Sequence, residues 1–346
     1  SRQLVVGGVS SKITPYETVY TELSASNQDK NLFSSLDQQD NQGWAQKSGI
    51  RSEGREVGFL KEYKWLSEAS YEWNHQYFRP IDRYRYIEYD RDWSYTPIFQ
   101  SAQEPAAIED HIVVGRLGMQ KNSVNRWNYQ ASYRNKGQAI DGWQQKALLR
   151  QQLGKATFSG DFFDLKSAQG VNESTWTRAQ LTAAYKLGKL MPGYTFQSDR
   201  NAITNQPADS VVTSAMNYSQ HMVFLQSADT AQNGTSFRLD ANRRIDDRPV
   251  DGVLERSDIS YTSNASFTTQ WKDRHVVSGV FTYRQLDDIL DTSDEKEETV
   301  QGRINWQSAW WERSIRSDLS LALLNGRELR REYVYIEVIP GQGTHT

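Results

Sequence analysis

One short stretch of the chain, residues 84–93, concentrates the side chains that most often anchor protein contacts. It interleaves arginines with tyrosines and a tryptophan, and three carboxylates lie among them. Such a basic and aromatic mixture can bind nucleic acid, but the carboxylates cancel the positive charge, so we expect no nucleic-acid partner. Since Arg, Tyr and Trp dominate protein interfaces, we predict that Arg85, Tyr86, Tyr89, Arg91 and Trp93 dock a partner. The alternative is a structural turn tied together by Arg–carboxylate pairs.

Two acidic segments could offer carboxylate oxygens to Ca²⁺, which prefers such ligands. The first contains Asp37 and Asp40, and the second contains Asp291 and Asp294 within the acidic run at residues 287–298. The first segment lacks the glycine and distal glutamate of an EF-hand loop. A solvated loop also explains both segments, because Asx side chains form turns and charge runs usually face water. Calcium at these acidic loops is the one cofactor that the sequence suggests.

The chain carries none of the motifs that mark common catalytic sites. A nucleophile elbow, a Walker A loop, a His-Glu-x-x-His motif and a dinucleotide-binding glycine motif are all missing. Cysteine is absent, which excludes thiolate nucleophiles and disulfides. The five histidines are far apart in sequence, and His75 and His275 lie near aromatic residues at expected strand ends. We therefore predict that the protein is not an enzyme.

Composition excludes two broad protein classes. The 346 residues contain no apolar run near the ~20 residues that a membrane-spanning helix needs. Aromatic residues make up 12% of the chain, a content that disordered proteins lack. The net charge of -3 at pH 7 does not identify a partner.

The strongest structural signal is an alternation of apolar and polar residues, which is typical of β-strands. Across residues 259–271 one face is mostly apolar and the other is wholly polar. This segment is longer than the ~5–6 residues of a typical soluble strand and suits a tilted membrane strand. The same alternation recurs at residues 127–134, 178–187, 237–242 and 300–310. We also predict one continuous strand over residues 139–162.

Two all-β folds can produce this alternation. A soluble β-sandwich packs two apolar faces together and needs bulky core residues. Here the apolar faces carry Ala, Gly, Tyr and Trp, and the polar faces carry charges along whole strands, which favours a transmembrane β-barrel. We predict an antiparallel meander of about 14–18 strands that forms such a barrel, or a large part of one. It would be a single domain over residues 1–346 with a long loop near 95–110, and its candidate lumen residues are Arg238, Asp240, Arg303 and Asn305.

Three segments give the chain a resemblance to known proteins. They are residues 31–41 ahead of a strand at 43–45, residues 78–93, and residues 333–343. Together they resemble large, mostly uncharacterised outer-membrane β-barrel proteins of the Bacteroidota. In those proteins a Gly-Gln-Gly turn like that at 341–343 is usually followed by more chain. We therefore expect further strands of the same polypeptide to pair with the strand at 333–338.

The resemblance implies the outer membrane of a Gram-negative bacterium and supplies no catalytic residues. The expected role is a pore or scaffold subunit of a multi-protein outer-membrane complex, for transport, protein export or barrel assembly. Its partners would be outer-membrane lipid and other outer-membrane or periplasmic subunits. The alternative is a soluble, secreted β-sandwich that binds glycans through exposed aromatic residues.

Overall fold

A computed structural model describes residues 2–29, 40–58, 60–95, 99–101, 104–206, 208–228, 234–271, 274–290, 296–311 and 314–325. Sixteen strands form one antiparallel meander sheet in which each strand pairs with its neighbours along the sheet. A separate hairpin of two very short strands interrupts the meander. In the described part of the chain the only helical element is a 3-10 turn at Arg91–Trp93. The predicted all-β fold class is confirmed, and sixteen strands lie within the expected range.

The strands of the large sheet are long, from 11 to 19 residues. They are β1 (Arg2–Lys12), β2 (Glu17–Gln28), β3 (Gln42–Val57), β4 (Leu60–Asn74), β7 (Asp110–Asn122), β8 (Asn125–Asn135), β9 (Asp141–Leu153), β10 (Ala156–Gln169), β11 (Asn172–Tyr185), β12 (Leu190–Asn205), β13 (Ser210–Ser227), β14 (Thr235–Val250), β15 (Val253–Trp271), β16 (His275–Asp288), β17 (Glu297–Trp310) and β18 (Ile315–Asn325). The small hairpin consists of β5 (Phe99–Ser101) and β6 (Glu104–Pro105).

The register of the ladder shows that the strands are staggered as they are in a barrel. A row of directly opposed residues starts at Lys12, the last residue of β1, and ends at Asp288, the last residue of β16. β1 and β16 run in opposite directions, so the last residues of these two strands lie at opposite ends of the sheet. The row is therefore displaced along the strand direction by about the 14 residues of β16 while it crosses fourteen strands. The stagger is therefore about one residue per strand. With ~3.3 Å per residue and ~4.8 Å between strands, it corresponds to a strand tilt of roughly 35°, as in β-barrels.

The two faces of the sheet differ in chemistry because alternate side chains point to opposite sides. We call the side that carries Glu68, Arg116 and Arg178 the polar face. The opposite side, which we call the outer face, carries residues such as Leu181 and Val223, whose side chains are 52% and 58% exposed. Few large apolar side chains are fully buried, and most of those that are pack on the polar face below one long connection. The sheet thus forms a large part of a barrel, with polar groups inside and apolar groups outside.

No helix in the described residues is long and apolar enough to span a membrane.

The connections differ in length at the two ends of the sheet. The longest is residues 75–109 between β4 and β7, which we call the insert; the predicted loop near 95–110 is its second half.

The predicted continuous strand over 139–162 is wrong, because β9 ends at Leu153 and β10 begins at Ala156. Gly154 makes this reversal with a φ of 59°, a conformation that costs glycine little. The expected terminal strand at 333–338 lies outside the described residues.

One cross-strand contact depends on a glycine. Tyr20 on β2 reaches across β3 and donates a hydrogen bond from its Oη to Glu68 Oε1 on β4, at 2.7 Å. Its ring passes directly over Gly49, where a Cβ would lie 2.6 Å from the phenol oxygen and 2.7 Å from the Ala69 carbonyl oxygen. A side chain at this position would therefore displace the tyrosine.

We predict that Gly49→Ala destabilises the sheet by ~1–3 kcal/mol, because the added methyl overpacks the Tyr20 ring. The matched control is Gly115→Ala on β7, where a Cβ would have no heavy atom within 4 Å. The measurement is the free energy of unfolding in denaturant with the protein held in detergent. Equal stability of the two variants would show that Tyr20 does not need the space above Gly49.

Candidate functional site

The insert folds back onto the polar face and is anchored by Trp93. This side chain is 2% exposed and packs against Ile140, Phe163, Leu165 and Trp176. The 3-10 turn that places it ends at Ser94, whose φ of 51° lies in the left-handed region. Burial of a tryptophan removes a large apolar area from water, so this contact is a main source of the insert's docking energy.

Side chains of the sheet also hold the backbone of this turn. Gln144 on β9 donates from Nε2 to the carbonyl oxygen of Asp92 at 2.6 Å, and Ser167 on β10 donates from Oγ to the carbonyl oxygen of Trp93 at 3.2 Å. Both donors are buried. A buried carbonyl without a partner is costly, so these two bonds fix where the turn can lie.

The carboxylate of Asp92 is the charged centre of the docked turn. The residue is 8% exposed, and its Oδ2 accepts a 2.8 Å hydrogen bond from Tyr86 Oη. Lys146 Nζ lies 3.5 Å from Oδ2, and Arg178 Nη2 lies 3.4 Å from Oδ1. One insert carboxylate therefore bridges two cations that stand on different strands of the sheet. Such partners are what a buried charge requires.

Arg134 on β8 makes a second buried ionic contact. Its side chain is 3% exposed. It binds Asp110 with two parallel bonds, from Nε at 3.0 Å and from Nη2 at 2.8 Å, and it binds Asp90 of the insert from Nη1 at 2.9 Å. The guanidinium also lies over the Tyr89 ring, 5.0 Å from its centroid. Arg134 thus joins the insert to the start of β7 by planar, bidentate geometry that lysine cannot reproduce.

All five predicted docking residues contact this chain itself. Arg85 pairs with Glu72 of β4 at 2.6 Å and lies over the Tyr89 ring at 4.2 Å. Tyr86 and Trp93 make the contacts described above, and Arg91 is exposed and pairs with Glu88 at 2.9 Å. These are the contacts of a turn tied together by Arg–carboxylate pairs. Docking of a partner protein on this segment stays a prediction.

The docked position changes the acidity of two tyrosines. Burial, together with the hydrogen bond to Asp92, raises the pKa of Tyr86 above its usual value of 10. Burial raises the pKa of Tyr89 to about 12, although the nearby arginines oppose the change. Both tyrosines therefore stay neutral in the docked insert at a pH where they would ionise in water.

A cavity of about 690 Å³ adjoins the docked turn on the polar face. Residues from β3 to β13 line it, among them Arg51, Arg116, Arg178 and Asp199. The cavity is thus enclosed by a curved wall of many strands, with the insert residue Asp92 bonded to two of the cations at its rim. Its lining includes four cations and four carboxylates.

The four candidate lumen residues lie on the polar face, away from the lining of this cavity. Arg238 Nε lies 3.2 Å from Asp240 Oδ1, and Asp240 accepts a 2.8 Å bond from Asn264 on the next strand. Arg303 Nε donates to Asn305 Oδ1 at 3.0 Å. Their role in selectivity stays a prediction.

Sequence reasoning missed the residues that hold the insert, chiefly Arg134, Gln144, Lys146 and Arg178. One signal for them exists in the sequence. Phe163 and Leu165 occupy polar-face positions of β10, and Trp176 does so on β11, where the alternation predicts polar residues. Apolar residues on a polar face indicate that another part of the chain covers them.

The calcium candidates give no site in the described residues. Asp37, Asp291 and Asp294 lie outside these residues, and Asp40 lies in the turn before β3. Within the part of the chain that the structure describes, no group of three histidines or carboxylates could hold a metal ion.

His275, at the start of β16, packs against two aromatic rings. It stacks on Trp271 and meets Trp310 edge-on, with ring centroids 5.1 and 4.8 Å apart.

We predict that Arg134→Ala frees the insert, because Asp110 and Asp90 lose their buried cation. Removal of one partner of a buried pair costs ~3–5 kcal/mol. The matched control is Arg91→Ala, which removes an exposed pair with Glu88 and should cost ~0–1 kcal/mol. The measurement is the rate at which a protease cuts residues 75–109 of the folded protein. Equal cleavage rates for the two variants would contradict this role of Arg134.

We predict that docking of the insert weakens as the pH rises from about 10 to about 12. The pKa of Tyr89 would be near 10 in the undocked insert and is about 12 in the docked insert. This difference contributes up to ~3 kcal/mol of docking free energy below pH 10, and the contribution is lost as the pH rises from 10 to 12. The difference between the tyrosinate absorbance titrations of the wild type and Tyr89→Phe isolates this ring. If this difference titration has its midpoint near pH 10, Tyr89 is exposed to water and the prediction is wrong.

The chain matches no protein-family model, no curated protein and no solved structure. The site that its own geometry defines is the polar face of β7–β11 with the insert docked on it and the charged cavity beside it.

Proposed function

We propose that this chain is an outer-membrane β-barrel, or a large part of one, that acts as a pore or scaffold subunit of a multi-protein complex in a Gram-negative bacterium. The complex would serve transport, protein export or barrel assembly. The observation that carries the proposal is the uncovered apolar outer face on a sheet with barrel stagger. An exposed apolar surface of this extent requires an apolar medium or a partner.

Aromatic residues on the outer face bound a zone of membrane thickness. On β4, Trp65 and Trp73 are eight residues apart, and on β15, Tyr261 and Trp271 are ten residues apart. At a tilt of roughly 35° these spacings correspond to heights of roughly 22 and 28 Å. The apolar band of outer-membrane barrels is ~25 Å tall and is flanked by aromatic girdles. The aromatic spacing therefore supports a membrane location.

Polar groups on the outer face bind one another. Thr21 Oγ1 and Ser48 Oγ on adjacent strands are 2.7 Å apart, and Tyr129 Oη donates to Gln145 Oε1 at 2.8 Å. In hydrocarbon such groups have no water to bind, so mutual pairing lowers the cost of placing them there.

The insert and the sheet edges support a role within an assembly. The insert occupies part of the polar face, so a pore through this region is narrowed by the chain itself. Among the described residues β1 pairs only with β2, and β18 pairs only with β17. In a membrane each free edge needs a further strand, from the same polypeptide or from another subunit. The resemblance to Bacteroidota outer-membrane barrels supports the same location.

The test compares Ala265→Arg with Asn264→Arg, two neighbours on β15. Ala265 lies on the outer face between Leu239 and Phe281, and Asn264 lies on the polar face between Asp240 and Thr282. A lipid-facing arginine near mid-membrane costs ~2–4 kcal/mol, so we expect Ala265→Arg to lower the folded yield strongly and Asn264→Arg to lower it little. The yield is measured in lipid vesicles by the change of gel mobility on heating.

Equal yields for the two variants would contradict the assigned faces. A wild-type chain that remains folded and monomeric in plain buffer after detergent removal would refute the membrane proposal. That outcome would favour the soluble, secreted β-sandwich that binds glycans through exposed aromatic residues.

A further inference from the structure

The staggered row that crosses the sheet is divided by charge. On its first part, β3, β7, β9 and β11 each contribute a cation to the polar face, namely Arg51, Arg116, Lys146 and Arg178. From β12 onwards the ionisable residues are aspartates on β12, β14, β15 and β16, apart from Tyr218 on β13. The one acid within the basic part, Glu68, is bound to Arg116 at 2.6 Å and to Tyr20. The row therefore changes the sign of its charge once, between β11 and β12.

The change of sign falls between Arg178 and Asp199, which are directly opposed on β11 and β12. Opposed residues have Cβ atoms ~5 Å apart, yet these two side chains form no ion pair with each other. Arg178 turns to Asp92 of the insert at 3.4 Å, and Asp199 Oδ1 accepts a 2.8 Å bond from Trp176 Nε1. The guanidinium has further donors, and Asp199 Oδ2 has no hydrogen-bond partner among the described residues.

The cavity of about 690 Å³ lies at this junction, and its own charges cancel. Four cations and four carboxylates line it, and Arg178 and Asp199 are among them. A cavity without net charge does not select a simple anion or a simple cation. Three of the carboxylates, Glu53, Glu68 and Asp161, lie among the cations on β3, β4 and β10. At the junction, Arg178 and Asp199 are directly opposed without binding each other, so they offer one position for a negative group and another for a positive group.

We propose that this cavity binds small zwitterions, such as an amino acid or a dipeptide, with the carboxylate at Arg178 and the ammonium group at Asp199. The volume lies within the ~300–1,000 Å³ of small-molecule sites. An arginine binds a carboxylate through paired N–H donors, and a carboxylate binds ammonium by a charge-assisted hydrogen bond. The inference deepens the proposed pore function and rests on it for the route by which the solute arrives.

The test uses three probes that share the diglycine backbone and differ in their terminal charges: diglycine, N-acetyl-diglycine without the ammonium group, and diglycine amide without the carboxylate. Binding to the full chain folded in detergent is measured by ligand-observed NMR. We expect diglycine to bind at least about tenfold more tightly than either analogue, because each loses a charge-assisted contact.

Two variants assign the ends of the ligand. Arg178→Gln should remove the preference for diglycine over its amide, and Asp199→Asn should remove the preference over the N-acetyl form. The matched controls are Lys47→Gln and Glu22→Gln, an exposed pair opposed across β2 and β3 that does not line the cavity. Both controls should keep the full order of affinities. Retained folding of every variant is verified by gel mobility with and without heating.

The inference is overturned if the folded protein binds all three probes equally or binds none of them. Tightest binding of the N-acetyl form would make the cavity an anion site and would also overturn it. These outcomes are separate from the fate of the membrane proposal. If the chain inserts into vesicles but binds none of the probes, only the zwitterion site is refuted. If the chain binds diglycine while folded in plain buffer, the zwitterion site is supported and the membrane location is refuted.

Discussion

The antiparallel ladder holds each strand in one register, and a slip of a single residue would exchange the two faces of the sheet. In this chain such a slip is costly on both sides. A slip of β15 would bring Asn264 to the outer face beside Leu239, and a slip of β16 would turn Phe281 towards the charged interior. The contrast between the faces therefore fixes the register, and the register in turn fixes which charges meet across the strands. The row in which Arg178 lies opposite Asp199 exists only in this alignment.

The insert shows how a charged wall becomes a docking surface for its own chain. Trp93 supplies apolar burial, but it fits only where Phe163, Leu165 and Trp176 interrupt the polar face. Around this patch the buried ions give the insert one orientation, because Asp92 needs both Lys146 and Arg178. Buried ion pairs add little net stability compared with apolar packing, and breaking one is expensive. Here they favour a single docked position over other ways of burying the same tryptophan.

The alternation in the sequence was sufficient to predict an antiparallel meander of about 14–18 strands and to assign Arg238, Asp240, Arg303 and Asn305 to its polar face. It failed at residues 139–162, where the apolar outer-face residues Leu149 and Leu153 lead directly to the reversal at Gly154. It also failed to place Arg134 against Asp110 and Asp90, or Arg178 against Asp92. Those contacts depend on the stagger between strands and on how a 35-residue connection folds back, and neither is encoded in a local period.

Stagger also explains why the charged cavity lies beside the insert. In an unstaggered sheet, a row of opposed residues would stay at one height and its cations and acids would form a level ring. A tilt of roughly 35° makes the row climb, and its basic and acidic parts meet where the row has reached mid-strand, at β11 and β12. At that height Asp92 of the insert draws Arg178 away from Asp199. If the insert were absent, the two opposed residues would be free to pair and close the junction. The docked insert therefore binds Arg178 on the side away from Asp199, and the proposed zwitterion site depends on the same carboxylate that holds the insert in place.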